Sequence, residues 1–429
     1  MKPNKVLIIT YYWPPAGGGG VQRWLHFASN LQLNGVDITV LTVDSNFASY
    51  PLMDTTLIAK VSNIKTIKTK SRDPLKWYSL ITKGNKKDGI PYGAIETKKS
   101  LFKKIAAWIR GNIFLPDARI GWNYYAKKAA FKALNNDIYS HVFSTGPPHS
   151  SHLIALAIKK KYPLIKWVAD FRDPWAELYI NESLPQSNWA KIKNNKYEQS
   201  VLNNADTILT VGHELKKLLQ PKTKTPIEVI YNGYDEKQFE GLDFIHSGNK
   251  FNIMHFGLLA EMQDCSNFCA ALSKLAEKFP KQKFKVTVVG KISKNNLDFF
   301  TQKSNFEFIN LGYLPQQEAI KLMFTADLLL NVTPSTKNER ILVSTKTMEY
   351  LRTKRPVLAL CNDPAEFTYL FGDEKLLLTA STSKENEIFI HLAFIYNSYL
   401  ENPLQSTNID VSQYSRAASA IKLQNILNL

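Results

Sequence analysis

Short apolar runs alternate with amphipathic stretches through the first half of the chain. The apolar run at residues 5–10 is typical of a buried strand, and a glycine-rich loop and a helical repeat at residues 21–33 follow it. Gly35 marks the end of that helix, and residues 36–43 predict a second strand. Three further apolar runs predict strands at residues 141–144, 166–169 and 207–210. This strand–helix–strand order predicts a parallel, doubly wound sheet.

The same alternation begins again in the second half. Strands are predicted at residues 251–256, 284–289, 327–332 and 356–360, and helices at residues 267–279, 315–324 and 345–352. Residues 240–249 are polar, contain glycine and show no period, as expected of a linker. We therefore expect an α/β protein with two facing Rossmann-like domains and a cleft between them. The first would comprise residues 1–240, completed by a C-terminal helix at residues 411–429, and the second residues 241–410.

Composition agrees with a folded protein and adds an expectation about its location. Hydrophobic residues make up 44% of the chain and charged residues 21%, as in ordinary globular proteins. No apolar stretch reaches the roughly 18 residues of a membrane-spanning helix. The run at residues 6–10 is too short for a signal-peptide core, and the three cysteines are too few for a disulfide framework. These features predict a cytoplasmic protein.

The net charge of +17 is the unusual bulk property. A surface this basic attracts polyanions, which include nucleic acid, anionic lipid headgroups and phosphorylated substrates. An A·T-rich genome that favours lysine codons would produce the same excess without any partner. No helix-turn-helix, zinc-binding or aromatic-stacking motif accompanies the charge, so we expect no nucleic-acid partner.

Residues 97–114 show the pattern of a basic amphipathic helix. The apolar and the basic positions form two groups, which are Leu101, Ile105, Trp108 and Ile109 on one side and Lys99, Lys103 and Arg110 on another. Such a helix can lie on an anionic membrane. The pattern fits equally well an ordinary helix whose apolar side packs in a domain core.

A glycine-rich loop follows the first predicted strand. Gly18, Gly19 and Gly20 let the backbone approach a ligand closely, and the helix after them would offer its N-terminal amides to an anion. The loop matches neither the dinucleotide fingerprint nor the Walker motif. A purely structural loop is the alternative.

Charged and polar groups follow two other predicted strands, where open α/β sheets bind ligands. Asp170 and Arg172 come after the run at residues 166–169, and Arg172 can hold a phosphate or a carboxylate. An internal Arg–Asp pair that fixes the loop is the alternative. His149 precedes a helix and is a candidate contact to an acceptor or a sugar, although a lone histidine is as often structural.

The strongest local signal begins at Ser344 and Thr345. Lys346 and Glu349 follow, three residues apart at the start of a predicted helix, so they share one face. A lysine there can bind a diphosphate together with helix amides, and a carboxylate one turn on can accept two ribose hydroxyls. Taken alone, the two residues also fit a surface ion pair.

These segments together resemble the retaining glycosyltransferases of family four, which have the two-Rossmann-domain (GT-B) fold. The resemblance covers nearly the whole chain and depends on the order and spacing of several weak elements. They are the loop at residues 17–20, residues 169–175, 229–235, 312–315 and 326–328, and Lys346-x-x-Glu349-Tyr350 followed by Pro356-Val357.

The resemblance implies roles for individual residues. Glu349 would bind the donor ribose, and Lys346 with nearby amides would bind the diphosphate. His149 and Asp170 would lie near the transferred sugar as the catalytic-site residues. The donor-binding residues would be Gly18, Gly19, Gly20, Arg172, Gly257, Ser344, Thr345, Lys346 and Glu349.

The chain departs from the family at two points. The family often has another glutamate eight residues before Glu349, where this chain has Ile341, and Glu339 is off register. The family also often has a basic pair soon after the glycine that matches Gly257, but residues 258–264 contain no lysine or arginine. Lys346, Lys291 and Arg340 are the candidates for neutralising the diphosphate.

The chain contains no D-x-D sequence, the usual carboxylate ligands of a sugar-nucleotide metal site. We therefore expect no metal and no cofactor, with the nucleotide-sugar as co-substrate. The resemblance implies a hexosyltransferase that retains anomeric configuration. Its acceptor would be a glycan or lipid-linked precursor of a surface polysaccharide, and the inner face of the cell membrane a further partner. The alternatives are a nucleotide-sugar 2-epimerase of the same fold and a non-catalytic, membrane-associated binding protein.

Overall fold

The computed structural model describes residues 4–72, 101–178, 184–246, 248, 250–302 and 305–428. The chain divides into two compact units. Unit 1 comprises Met1–Tyr231 with Ala417–Leu429, and unit 2 comprises Asn232–Arg416. Each unit contains one sheet of parallel strands with helices around it, as the sequence predicted for an α/β protein.

The sheet of unit 1 has seven strands in the order β3-β2-β1-β4-β5-β6-β7. They are β1 (Lys5–Ile9), β2 (Asp37–Val43), β3 (Lys65–Thr69), β4 (His141–Gly146), β5 (Lys166–Phe171), β6 (Thr207–Thr210) and β7 (Ile227–Val229). Strand β1 pairs with both β2 and β4, so the direction of strand addition reverses there. Ligands of such sheets bind beyond the carboxyl ends of the strands at this reversal.

The helices of unit 1 are α1 (Gly19–Leu33), α2 (Leu101–Asn112), α3 (Asn123–Asn136), α4 (Ser150–Lys161), α5 (Asn188–Asn204) and α6 (His213–Leu219). Helix α1 begins two residues before its predicted start, because the glycine loop already enters the helix. It ends where predicted, with Gly35 in the left-handed region at φ 85°. The sequence prediction omitted β3, β7, α3, α5 and α6.

The sheet of unit 2 has six strands in the order β10-β9-β8-β11-β12-β13. They are β8 (Lys250–Phe256), β9 (Lys283–Val289), β10 (Glu307–Gly312), β11 (Leu328–Val332), β12 (Val357–Leu360) and β13 (Leu377–Ala380). The helices are α7 (Ser266–Lys278), α8 (Lys294–Thr301), α9 (Gln316–Met323), α10 (Thr345–Thr353), α11 (Ala365–Phe371) and α12 (Glu385–Glu401). Here β8 pairs with both β9 and β11, so the strand order reverses at β8.

The chain passes from unit 1 to unit 2 after Tyr231, whereas the sequence placed the boundary in the polar stretch after residue 240. Phe239 explains the difference, because its ring contacts those of Tyr234 and Phe324 at 5.7 and 6.1 Å within unit 2. The last helix, α13 (Arg416–Leu427), brings the chain back to unit 1. Its Gln424 accepts a hydrogen bond from Asn34 at 3.1 Å.

The predicted basic helix corresponds to α2 over the described residues. Lys99 lies outside the described residues, and so do the side chains of Leu101 and Lys103. Ile105 and Trp108 are about half exposed, so the interpretation that buries this apolar side in the core does not hold for them. Among the described helices, none combines the length and the apolar character needed to cross a bilayer.

Candidate functional site

The glycine loop follows β1 at the strand-order reversal of unit 1. Gly18 precedes α1 with φ 91°, a conformation that favours glycine. Among the described residues no side chain caps the first turn of α1, and that turn contains no acidic residue. No carboxylate of the described chain therefore neutralises the first amides of α1, which suits an anion site at this helix.

Arg172 lies against this loop. A Cβ atom added at Gly20 would come within 2.7 Å of its Nη1, so a side chain there would displace the guanidinium. The guanidinium donates from Nε to the Gly146 carbonyl at 3.2 Å and from Nη2 to the Pro147 carbonyl. The structure thus brings together the loop after β1, Arg172 and the turn after β4.

Asp170 is fully buried and bound on both carboxylate oxygens. Arg23 donates to Oδ1 from Nε at 3.1 Å and from Nη2 at 2.9 Å. Trp24 and Thr145 donate to Oδ2 at 2.6 and 2.8 Å. The buried partner of Asp170 is therefore Arg23 of α1 and not the neighbouring Arg172. This geometry favours a positioning role for Asp170, because its oxygens are already engaged.

Arg23 extends this network to the last residues of unit 1. Its Nη1 donates to the carbonyls of Ile230 and Tyr231 at 2.8 and 3.2 Å. The sequence interpretation missed Arg23. The signal was available, because a lone arginine among the apolar positions of an amphipathic helix must find a buried acceptor.

His149 is buried beneath the loop after β4. Its ring stacks on Trp175 with centroids 4.8 Å apart and planes at 14°. Its polar partner is the Pro174 backbone, which opposes the effect of burial on the pKa of the ring. Burial holds the pKa of His149 well below its usual value, so the imidazole is neutral. A neutral ring can accept or donate one hydrogen bond to a ligand.

His152, one helical turn later, lies in the same cluster. Its Nδ1 is 2.8 Å from the Ser144 hydroxyl, and its ring stacks on Phe171 at 4.8 Å and 14°. A Cβ at Gly146 would come within 2.5 Å of His149 Nδ1 and 2.7 Å of His152 Nε2, so both rings contact the Gly146 backbone. Burial lowers the pKa of His152 to about 3.

The two imidazoles predict that acid destabilises the protein. In the unfolded chain a histidine binds a proton below pH about 6.5, whereas folded His152 stays neutral to about pH 3. The free energy of unfolding is therefore highest above pH about 6.5. Below that pH it falls by about 1.4 kcal/mol per pH unit for each such histidine. Urea unfolding gives the decrease in unfolding free energy between pH 7 and pH 5. This decrease should be about 2 kcal/mol smaller in His152→Phe than in the wild type. An unchanged pH dependence in the variant would contradict the prediction.

The amino end of α4, which follows His149, is already capped. Asp117 accepts from the Ser150 amide at 2.7 Å through Oδ2 and from the Ser150 hydroxyl at 2.8 Å through Oδ1. Burial raises the pKa of Asp117. This intrinsic carboxylate takes the place of an anionic ligand at α4, and it distinguishes α4 from the uncapped α1.

In unit 2, Gly257 and Gly290 end β8 and β9 with φ 123° and 143°. A Cβ at Gly290 would lie 2.0 Å from the Gly257 carbonyl oxygen, so glycine at position 290 is required for the two backbones to pass. Nothing lies within 4 Å of a Cβ built at Gly257. The surface at Gly257 is therefore open, as a ligand-lining position requires.

Lys346 and Glu349 form the expected pair on one face of α10. The Lys346 ammonium lies 2.9 Å from Glu349 Oε2, with about a third of the lysine side chain exposed and the glutamate buried. Gln316 donates to Glu349 Oε1 at 3.0 Å. A buried carboxylate with both oxygens positioned differs from the surface ion pair that the sequence left open.

Two basic groups near this pair were missed in the sequence interpretation. Burial lowers the pKa of Arg416, and the nearby Glu349 and Asp235 carboxylates oppose that shift. His255 is buried one residue before the end of β8, and its Nδ1 is 3.0 Å from the Leu330 carbonyl. Burial and the Lys346 charge lower the pKa of His255 to about 4. Hydrogen bonds from the ring to the Leu330 and Leu258 backbones partly oppose this lowering of the pKa.

Ser344 precedes α10, and its side chain makes no capping bond to the first turn. The first turn, which starts at Thr345, contains no acidic residue. Thr347 is held instead by Asn331, which donates to its hydroxyl at 2.7 Å. The α10 amides and Lys346 thus concentrate positive potential at one helix end.

The two residues at the position of the missing family glutamate, Ile341 and Glu339, also have defined places in the structure. Ile341 is buried and offers no polar group. Glu339, in the same short turn, is bound to Asn362, whose amide nitrogen donates to Oε1 and whose side chain donates to Oε2 at 3.3 Å. Glu339 therefore braces the loop after β12.

Solved structures of similar fold were found, although no family model and no curated protein sequence matches the chain. The chain is similar to the sucrose-phosphate synthase of Thermosynechococcus elongatus, with 13% identity and a TM-score of 0.59. The match covers 99% of this chain and 98% of the synthase chain. The lipopolysaccharide outer core galactosyltransferase WaaB, in its apo form, gives 10% identity and a TM-score of 0.61, with 99% of both chains covered. The UDP-GlcNAc 2-epimerase of Neisseria meningitidis, bound to UDP-GlcNAc, has 15% identity to this chain and a TM-score of 0.51. The match covers 99% of this chain and 100% of the epimerase chain.

These likenesses define a class of fold. Identities of 10–15% show a shared architecture and do not transfer an activity. The chain has the GT-B type of fold, an α/β architecture with two Rossmann-like domains. The fold expected from the sequence is therefore confirmed.

Proposed function

We propose that the protein is a glycosyltransferase that takes a sugar from a nucleotide donor. The observation that carries the proposal is the Lys346–Glu349 pair at the uncapped start of α10. Lys346 and the α10 amides bind the diphosphate, and Glu349, positioned by Gln316, accepts the ribose hydroxyls. Gly257 lines the same donor site.

The reaction depends on positioning and on charge. As the donor bond breaks, negative charge develops on the departing nucleoside diphosphate, and Lys346 with the helix amides stabilises it. No metal takes part in the proposed mechanism. The leaving phosphate accepts the proton of the acceptor hydroxyl, and the sugar keeps its anomeric configuration.

Unit 1 contains the other residues to which we assign a role. We assign Gly18, Gly19 and Gly20, with the α1 amides, and Arg172 to phosphate binding. We place His149 near the transferred sugar, where its neutral ring packs against Trp175 and supports the loop after β4. Asp170 acts by holding Arg23 and α1 in place. The proposed acceptor is a glycan or a lipid-linked precursor of a surface polysaccharide.

A thermal-shift panel of nucleotide sugars tests this proposal. A donor at 100 times its dissociation constant stabilises the folded chain by about 2.7 kcal/mol, which raises the melting temperature measurably. We expect at least one uridine, guanosine or cytidine diphosphate sugar to do so, and Glu349→Ala to lower this stabilisation to about 1.4 kcal/mol or less, as a tenfold weaker affinity implies. No shift with any member of the panel would contradict the proposal.

A nucleotide-sugar 2-epimerase is the second candidate, because one of the similar structures is an enzyme of that name. The two reactions differ in their need for an acceptor. An epimerase converts its nucleotide sugar without any acceptor, whereas a transferase releases nucleoside diphosphate in proportion to the glycan formed. Chromatography of the donor incubated with and without an acceptor extract separates the two.

A further inference from the structure

Two helices of unit 1 meet at a junction that the sequence did not predict. Asn112 at the end of α2 donates from its side chain to the Pro185 carbonyl at 2.7 Å and accepts from the Ser187 amide at 2.8 Å. Ser187 in turn caps α5 through the Ala190 amide. The end of α2 and the start of α5 are thereby fixed to each other.

The exposed tryptophans of the described chain both lie at this junction. Trp108 and Trp189 are 50% and 59% exposed, whereas the other described tryptophans, Trp13, Trp24, Trp122, Trp167 and Trp175, are buried. Trp108 is four residues before Asn112, about 6 Å along the helix, and Trp189 is two residues after Ser187. Both exposed tryptophans therefore lie within four residues of the hydrogen bonds that join the two helices.

Aliphatic side chains and positive charge surround the two rings. Ile105, Ile113 and Ile192 are each more than half exposed. The basic residues on these segments are Lys104, Arg110, Lys191, Lys193 and Lys196. Residues 104–116 and 184–197 contain no aspartate or glutamate. We call the surface formed by these residues of α2 and α5 the Trp108–Trp189 surface.

We propose that the Trp108–Trp189 surface binds the headgroup region of an anionic lipid bilayer. Tryptophan rings and aliphatic side chains enter the interface between headgroups and acyl chains, and the lysines attract acidic lipids. The Lys193 ammonium lies 4.6 Å from the centre of the Trp189 ring, which leaves the charge beside the ring at headgroup depth. A nucleic-acid surface would not need the three exposed isoleucines.

This inference deepens the proposed function, because a membrane-bound transferase can reach a lipid-linked acceptor. It also extends the basic amphipathic helix expected from the sequence. That helix supplies half of the surface, and α5 supplies Trp189, Ile192 and three of the lysines. One helix provides two or three apolar anchors, whereas two rigidly joined helices provide a broader contact.

Sedimentation of the full chain with vesicles tests the inference. We expect binding to phosphatidylcholine vesicles containing phosphatidylglycerol, weak binding to phosphatidylcholine alone, and loss of binding at high salt. Trp108→Ser/Trp189→Ser and Lys191→Glu/Lys196→Glu should each reduce the binding constant about tenfold or more. The matched controls are Leu164→Ser, whose side chain is 96% exposed, and Lys132→Glu/Lys160→Glu on α3 and α4.

Quenching by brominated lipids locates the contact. Wild-type fluorescence should be quenched, and Trp108→Phe/Trp189→Phe should keep binding while losing most of the quenching. Equal binding by the surface variants and their controls would overturn the inference. Binding to an oligonucleotide or self-association in place of vesicle binding would overturn it too. If the chain shows a donor-induced thermal shift but does not bind vesicles, the membrane surface is rejected and the proposed glycosyltransferase function is not.

Discussion

Glu349→Ala and Lys346→Ala are each expected to reduce sugar transfer about tenfold or more, the loss of one good transition-state contact. Glu349→Ala removes the hydrogen bonds to the ribose. Lys346→Ala removes the positive charge next to the leaving diphosphate. The two changes should differ in their kinetics. Glu349→Ala raises the KM for the donor, because the ribose contact is present before and during the reaction, whereas Lys346→Ala lowers kcat.

The chain contains a matched control for this experiment. Lys384 and Glu387 form another i,i+3 pair in unit 2, with the nitrogen and oxygen 3.7 Å apart and both side chains exposed. Lys384→Ala and Glu387→Ala should leave transfer unchanged. Full turnover in the Lys346 and Glu349 variants would refute their assignment to the donor site, whatever the fold.

Asp170→Ala should have the largest effect on stability. It removes the partner of Arg23, whose guanidinium is as deeply buried as the carboxylate. An uncompensated buried charge costs about 3–5 kcal/mol, and the indole of Trp24 and the hydroxyl of Thr145 also lose their acceptor. Urea unfolding followed by circular dichroism should show this loss at pH 7.

Two further variants identify the cause. Asp37→Ala removes an exposed partner of Lys5 and should change stability by less than about 1 kcal/mol. Arg23→Met/Asp170→Leu removes both buried charges and should recover much of the stability lost by Asp170→Ala alone. If Asp170→Ala were as stable as wild type but inactive, a direct role of Asp170 at the sugar would replace the positioning role proposed for it.

The sequence was informative wherever local pattern determines structure. Short apolar runs identified β1, β2, β4, β8, β9 and β11 because a strand buried on both faces must be apolar throughout. The glycine loop after β1 and the Lys346–Glu349 spacing were visible for a similar reason. A helix start and an i,i+3 pair are set by neighbours in the chain.

The sequence did not reveal which side chains pair in the folded protein, as Asp170 shows. The sequence offered Arg172 as the neighbour of Asp170, yet the buried partner is Arg23, 147 residues away. Arg23 lies on α1 and Asp170 on β5. The distance between two such residues along the sequence does not show whether the fold brings them into contact. Arg172 turns to the Gly146 and Pro147 carbonyls, because the loop after β4 is nearer to it.

Taken by itself, the sequence determined the α/β class, the repeated strand–helix alternation and the segments that follow the strands. These depend on periodicity and on backbone preferences that act over a few residues. The tertiary structure alone decided which side chains are engaged and which are open. It buried Asp170 against Arg23, capped α4 with Asp117, and joined α2 to α5 through Asn112. Such contacts join residues far apart in the chain, because burial leaves a charge or an amide no solvent and obliges it to find a partner.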